Sequence, residues 1–235
     1  VVVFVSCSED NDLYVHQNLQ EYIDLNSNLT LDEVIACAAS DQNNTDISYV
    51  FYYPILTATD ISYFETESSS DDKNDFSLYK PKVLPKEDVF NGYLGRFVRN
   101  NSKETWCIVT YITDGKLHKS TPILLKHQTK PTEWVDQVVI DQSETKRPKF
   151  TWEDGTIKEN AIYFQVVTDA SNNLLSGTYT YDKWFQFYKL TNVVLNVTRD
   201  DPSELIIGNN YSFTLMGVSL DNWVNLVIQK QFTAE

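Results

Sequence analysis

Chemistry on a protein needs groups that move protons, attack, or hold a metal, and this sequence offers few of them apart from its carboxylates. Its three histidines are His16, His118 and His127. They fall in an N-terminal segment, a hairpin strand and a linker, which predicts surface histidines and no shared site. No metal-ligand, nucleophile-elbow, dinucleotide-loop or paired-cysteine redox pattern occurs. Asp71, Asp72 and Asp75 form one acidic cluster, and Asp200, Asp201 and Glu204 another. Neither has the spacing, with a Gly at the sharp turn, of a calcium loop, so both predict solvated loops and no metal. Two carboxylates suffice for glycoside hydrolysis, but among 33 acidic residues any chosen pair says nothing. The expectation is a chain that is not an enzyme and carries no cofactor.

Binding is the remaining route. Aromatic rings aided by Asp, Asn and Gln hold sugars. The aromatics that break alternation or sit in turns are Trp184 beside Tyr181, Trp223 after Asp221 and Asn222, and Trp134 in a linker. Trp184, Tyr181 and Trp223 are therefore the candidate ligand contacts. Packing is the competing use, because Trp and Tyr also fill sandwich cores; Trp152 is assigned to the core.

Composition narrows the rest. A chain of 235 residues suits two domains of about 100 residues each. With 14 Tyr, 12 Phe and 5 Trp against 7 Gly and 7 Pro it is globular. A net charge of -14 without a basic block argues against nucleic acid as a partner and against adsorption to anionic lipid heads. No apolar run approaches the roughly 20 residues of a spanning helix. Three cysteines remain, Cys7, Cys37 and Cys107. Cys37 and Cys107 are either an even pair that can bond in an oxidising compartment or two buried reduced thiols, and the count leaves both open.

The elements that must position these residues read almost wholly as strands. Residues 12–25 carry Val15, Leu19, Tyr22 and Ile23 at helical spacing behind a capping Asp12, so a short helix or an acidic tether is expected. Strands are expected over 31–40, 47–56, 62–66, 90–98, 104–113 and 117–126, with a loop over 67–75. Asp114-Gly115 between alternating runs marks a hairpin. A polar connector over 127–135 sets the boundary, after which strands are expected over 149–152, 161–168, 174–181, 185–188, 193–197, 211–219 and 223–232. The division is thus 1–7, 8–29, 30–127 and 128–235.

Three resemblances follow from these residues. The strand order over 31–126 resembles a fibronectin III or immunoglobulin-like sandwich, and that likeness implies Cys37 and Cys107 facing each other across two sheets. In the second half, Leu205, Ile207, Gly208, Tyr211 and Phe213 resemble the fibronectin III tyrosine corner, where the Tyr hydroxyl bonds to a carbonyl upstream. The expected fold class is all-β, with two tandem sandwiches. At the N-terminus, Val1 to Val5 run into Ser6, Cys7 and an acidic SEDND segment. This resembles a lipobox followed by the surface-export signal of Bacteroidetes lipoproteins, although the same apolar run would also make an edge strand. The strings LDEVIACAAS, FNGYLGRF, ENAIYFQVV and SLDNWVNL are similar to those of flavobacterial surface lipoproteins. The resemblance implies acylation of Cys7 and a chain lipid-anchored at the outer membrane and exposed at the cell surface, and it permits a bond between Cys37 and Cys107. The function expected is a non-catalytic binding module, with glycan as the first ligand class. The alternative is an accessory subunit docked on an outer-membrane transport or secretion protein, and an enzyme of unassigned reaction ranks third.

Overall fold

The computed structural model describes residues 16–26 and 32–235. Cys7, the apolar run before it and the SEDND segment lie outside the described residues. Helix α1 (Leu19–Leu25) starts at Asn18, whose side-chain oxygen accepts the Glu21 N–H at 2.9 Å. Leu19 is buried with Phe64, Tyr79 and Ile108, so this part of the expected tether is a docked helix. No helix of the described residues is long and apolar enough to cross a membrane.

The first unit contains β1 (Asp32–Val34), β2 (Ala36–Ser40), β3 (Ile47–Tyr52), β4 (Thr59–Glu65), β5 (Lys80–Lys82), β6 (Lys86–Val89), β7 (Leu94–Asn100), β8 (Trp106–Thr113), β9 (Lys116–Ser120) and β10 (Ile123–Leu124). One sheet runs β1-β9-β8-β4-β5, with β10 paired to β8, and the facing sheet runs β2-β3-β7-β6. The second unit contains β11 (Glu133–Val135), β12 (Val139–Asp141), β13 (Lys149–Thr151), β14 (Ile162–Asp169), β15 (Leu174–Thr180), β16 (Trp184–Gln186), β17 (Val193–Asn196), β18 (Asn210–Val218) and β19 (Val224–Thr233). Its sheets run β11-β19-β18-β14-β15-β17 and β12-β13-β16. Each unit has the strand order of an immunoglobulin-type sandwich. In each, a short leading strand, β1 or β11, pairs parallel with the last long one, β9 or β19. The two units thus share one architecture.

Local chemistry explains several boundaries. Asp114 and Gly115 take φ of 49° and 69°, the paired left-handed residues that match a two-residue hairpin to strand twist. The expected strand over 31–40 divides at Ile35, where the chain passes from the first sheet to the second. Pro122, without an N–H, separates β9 from β10. The Tyr211 hydroxyl does bond upstream, but as an acceptor from the Ile206 N–H at 2.9 Å and not as a donor to a carbonyl.

The sandwiches do not stand apart. Val50, Tyr52, Tyr63, Phe97, Cys107 and Val109 fill the space between the two sheets of the first unit. Phe150, Trp152, Phe185, Tyr163, Phe213 and Ile228 fill that of the second. A third cluster joins the units: Ala39, Phe51 and Leu94 from the β2-β3-β7-β6 sheet meet Phe164, Val166, Met216 and Val227 from the six-stranded sheet. The chain is therefore four stacked sheets with α1 on the outermost face, and both middle sheets are buried on two sides.

This stacking corrects the disulfide. Cys37 and Cys107 are both free. Side chains alternate faces along a strand: Ala38 points into the first core, while Cys37 points with Ala39 toward the second unit. Cys107 on β8 points into the first core. A whole sheet stands between the two sulfurs. Burial pushes each thiol up to about 12, which keeps both protonated and unreactive at neutral pH.

Candidate functional site

The polar residues singled out by chemistry do not converge. His16 packs at a tilt against Tyr22 with ring centroids 4.4 Å apart, His118 stacks on Tyr111 at 5.2 Å, and His127 is buried after β10. Burial, reinforced by the nearby Arg99 charge, holds the His127 imidazole below its ordinary pKa, and its Nε2 lies 2.9 Å from the Asn101 carbonyl. No group of three His, Cys, Asp or Glu able to hold a metal occurs among the described residues. Asp71, Asp72 and Asp75 accept backbone N–H groups of Ser68, Asn74 and Ser77 within their own loop. Glu204 pairs with Lys146 at 2.9 Å. These carboxylates shape turns and surface pairs.

The aromatic candidates separate. Trp223 is 0% exposed and belongs to the core of the first unit, although its backbone precedes β19 of the second. It is withdrawn as a ligand contact: the turn that would display it at the tip of a free sandwich here meets another sandwich. Asn222 O accepts the Ala38 N–H at 3.0 Å, Asp221 O accepts the Leu124 N–H at 3.0 Å, and Lys126 pairs with Asp221 at 2.8 Å. The indole N–H of Trp223 is spent on the Lys130 carbonyl at 2.8 Å. Trp134 packs between the units and donates to Ser40 O at 3.1 Å, Trp106 donates to Ser69 O at 3.0 Å, and Trp152 is 2% exposed in the second core. Of the five tryptophans, all described, Trp184 alone has an indole N–H that is neither bonded within the chain nor buried.

Trp184 opens β16, where alternation turns Phe185 into the core and leaves Trp184 and Gln186 on the outer face of the three-stranded sheet. Register places Trp184 in a row with Thr151 and Val139, and Gln186 in a row with Lys149 and Asp141. The Lys149 ammonium sits 4.6 Å from the Trp184 ring centroid, a contact that fixes the ring's attitude. Tyr181, 66% exposed, projects from the turn leading into the same strand. That turn is pinned twice. Asn192 donates to Trp184 O at 2.8 Å and to Asp182 at 3.3 Å, and Lys183 pairs with Asp154 at 2.7 Å. Burial opposes ionisation of Asp154, but bonds from Lys183, Tyr163 and Asn160 outweigh it and hold the carboxyl below its ordinary range. Gln186 gives its amide hydrogens to Glu144 and the Arg147 carbonyl, which leaves its own carbonyl oxygen to accept. Two aromatic rings on a braced turn, with an open indole donor and a carboxamide acceptor beside them, can hold a polar ring-shaped ligand. The face lacks a paired nucleophile and base.

No family model and no curated protein matches this chain. Among solved structures, the FN1–FN3 domains of chicken CNTN1 overlap at a TM-score of 0.28 with 11% identity, covering 88% of this chain and 65% of that one. A structure described as the basis of neurohormone perception by the receptor tyrosine kinase Torso overlaps at 0.27 with 10% identity, covering 92% and 84%. The chain thus spans 65% of the length of the first of these. The assignment to paired β-sandwiches rests on the strand orders given above.

Proposed function

We propose that this chain is a non-catalytic binding module that takes glycan on the Trp184–Tyr181 face and works at the bacterial cell surface, anchored through lipid on Cys7. The observation that carries the ligand class is the open indole of Trp184 on the outer face of β16, with exposed Tyr181 on the turn before it. An aromatic ring covers the apolar face of a sugar, and neighbouring carboxamide and indole groups meet its hydroxyls. A glycan array should return a binder, and Trp184→Ala should weaken it about tenfold or more, as the loss of an interface Trp ordinarily does. Binding to no glycan, or undiminished binding by the variant, would sink the reading.

Anchoring is supported by the apolar run ending in Ser6 and Cys7. Mass spectrometry of the native N-terminus is expected to find Cys7 first and acylated; a mature chain that retains Ser6 before an unmodified Cys7 contradicts it. The accessory-subunit reading is favoured by a different feature. Leu190, Val194 and Leu195 are exposed on and beside β17, an edge strand of the six-stranded sheet, and open edges with apolar side chains invite another protein.

A further inference from the structure

A polar cleft lies on the opposite side of the second sandwich from Trp184. Where the six-stranded sheet extends beyond the sheet that covers it, its side chains change character. Phe164, Met216 and Val227 form a cross-strand row under the first unit. The next row reads Val166, Thr214, Gln229 and the one after it Thr168, Ser212, Gln231. These polar rows floor a cleft of about 390 Å³, with Phe90 from the first unit and Asn172 in its lining. The Phe90 turn is fixed to the second unit, because the Asn91 amide donates to Ser171 O at 2.9 Å and to Asn173 Oδ1 at 2.8 Å. Clefts of this size at domain junctions are common ligand sites.

The lining selects the ligand. Among the described residues, the side chains of Thr168, Ser212, Thr214, Gln229 and Gln231 have no hydrogen-bond partner, and Gln229 and Gln231 are exposed. Three hydroxyls and two carboxamides thus present donors and acceptors together at one place. No carboxylate lines the cleft, although the chain carries a net charge of -14. Its one charged lining residue, Lys230, is engaged with Asp136 at 3.2 Å. The backbone groups of β18 at the floor of the cleft are taken up by β14 and β19 on either side, so recognition there falls to side chains. We infer that this cleft binds a neutral sugar of one or two rings, with Phe90 against the ring and Thr214, Ser212, Gln229 and Gln231 on its hydroxyls.

The cleft is separate from the Trp184–Tyr181 face, and amide NMR on the whole chain tells the two apart. Titration at millimolar concentration with maltose, cellobiose and lactose, and with glucuronate as a charged control, should shift amides of Thr168, Ser212, Thr214, Gln229 and Gln231 with a neutral sugar. The double variant Gln229→Ala/Gln231→Ala alters exposed side chains only and should weaken that binding about tenfold, as should Gln231→Glu, which charges the cleft. Trp184→Ala should leave it unchanged. Shifts confined to Trp184 and Tyr181 would leave the proposed function standing and overturn this one. So would shifts by glucuronate alone, the absence of any shift, or full binding by both Gln variants.

Discussion

Trp223→Ala is expected to destabilise the chain by about 3–5 kcal/mol, the range for emptying a buried aromatic site. The side chain is fully enclosed beside Val34, Ala38, Ile123 and Leu125, and its removal also leaves the Lys130 carbonyl without its donor. The site lies in the core of the first unit but is filled from the second, so the loss strikes both. Urea unfolding should remain a single transition at a lower midpoint, and the thiol of Cys107, in the same cluster, should react faster with a maleimide. Trp223→Phe should recover part of the loss. A shift under about 1 kcal/mol, within the range of ordinary surface substitutions, would show that the second unit does not complete the first.

Arg99→Met is expected to cost a similar amount for an electrostatic reason. Arg99 is 2% exposed, and its Nε lies 2.6 Å from Glu65. Its other donors go to the carbonyls of Asn101 and Lys103 at 2.9 and 2.8 Å, and Tyr63 donates to Glu65 at 2.9 Å. Removing the cation leaves the buried Glu65 carboxylate without its counter-charge and the Lys103 carbonyl without its side-chain donor, at about 3–5 kcal/mol. The double variant Arg99→Met/Glu65→Leu removes the stranded charge and should be more stable than Arg99→Met, because an apolar replacement of a buried pair often comes close to neutral. Chemical denaturation of the wild type, both single variants and the double variant measures this. Equal losses in the single and double variants would contradict the role given to the pair.

Much of the fold was legible in local patterns. Asp114-Gly115 predicts its turn, alternation places most strands, and Tyr211 signals the corner near the start of β18. The stacking of the two sandwiches was not read, although its signal is present. YVFY in β3, YF and VV on either side of Gln165 in β14, and LVI in β19 are apolar at successive positions, the pattern of strands buried on both faces. The sandwich likeness implied Cys37 facing Cys107, and the turn before β19 put Trp223 at the surface. Both were misplaced for the same reason: a neighbouring unit covers the face taken for solvent. The polar positions of the cleft, Ser212 and Thr214 among Tyr211, Phe213 and Leu215, carried the matching signal, since they mark where that cover ends. Trp184 is half-buried on the outer face of β16 and Tyr181 exposed on the turn before it, because β16 belongs to an outer sheet, where one-sided alternation holds.

The proposed binding face is tested most directly by the tryptophan indole resonances of the native chain during titration with a glycan that binds. Five indole N–H groups contribute. Those of Trp106, Trp134 and Trp223 are bonded to carbonyls within the chain, and that of Trp152 is enclosed. The predicted result is movement of the Trp184 resonance while the other four stay in place. A static Trp184 resonance under saturating glycan would contradict the account.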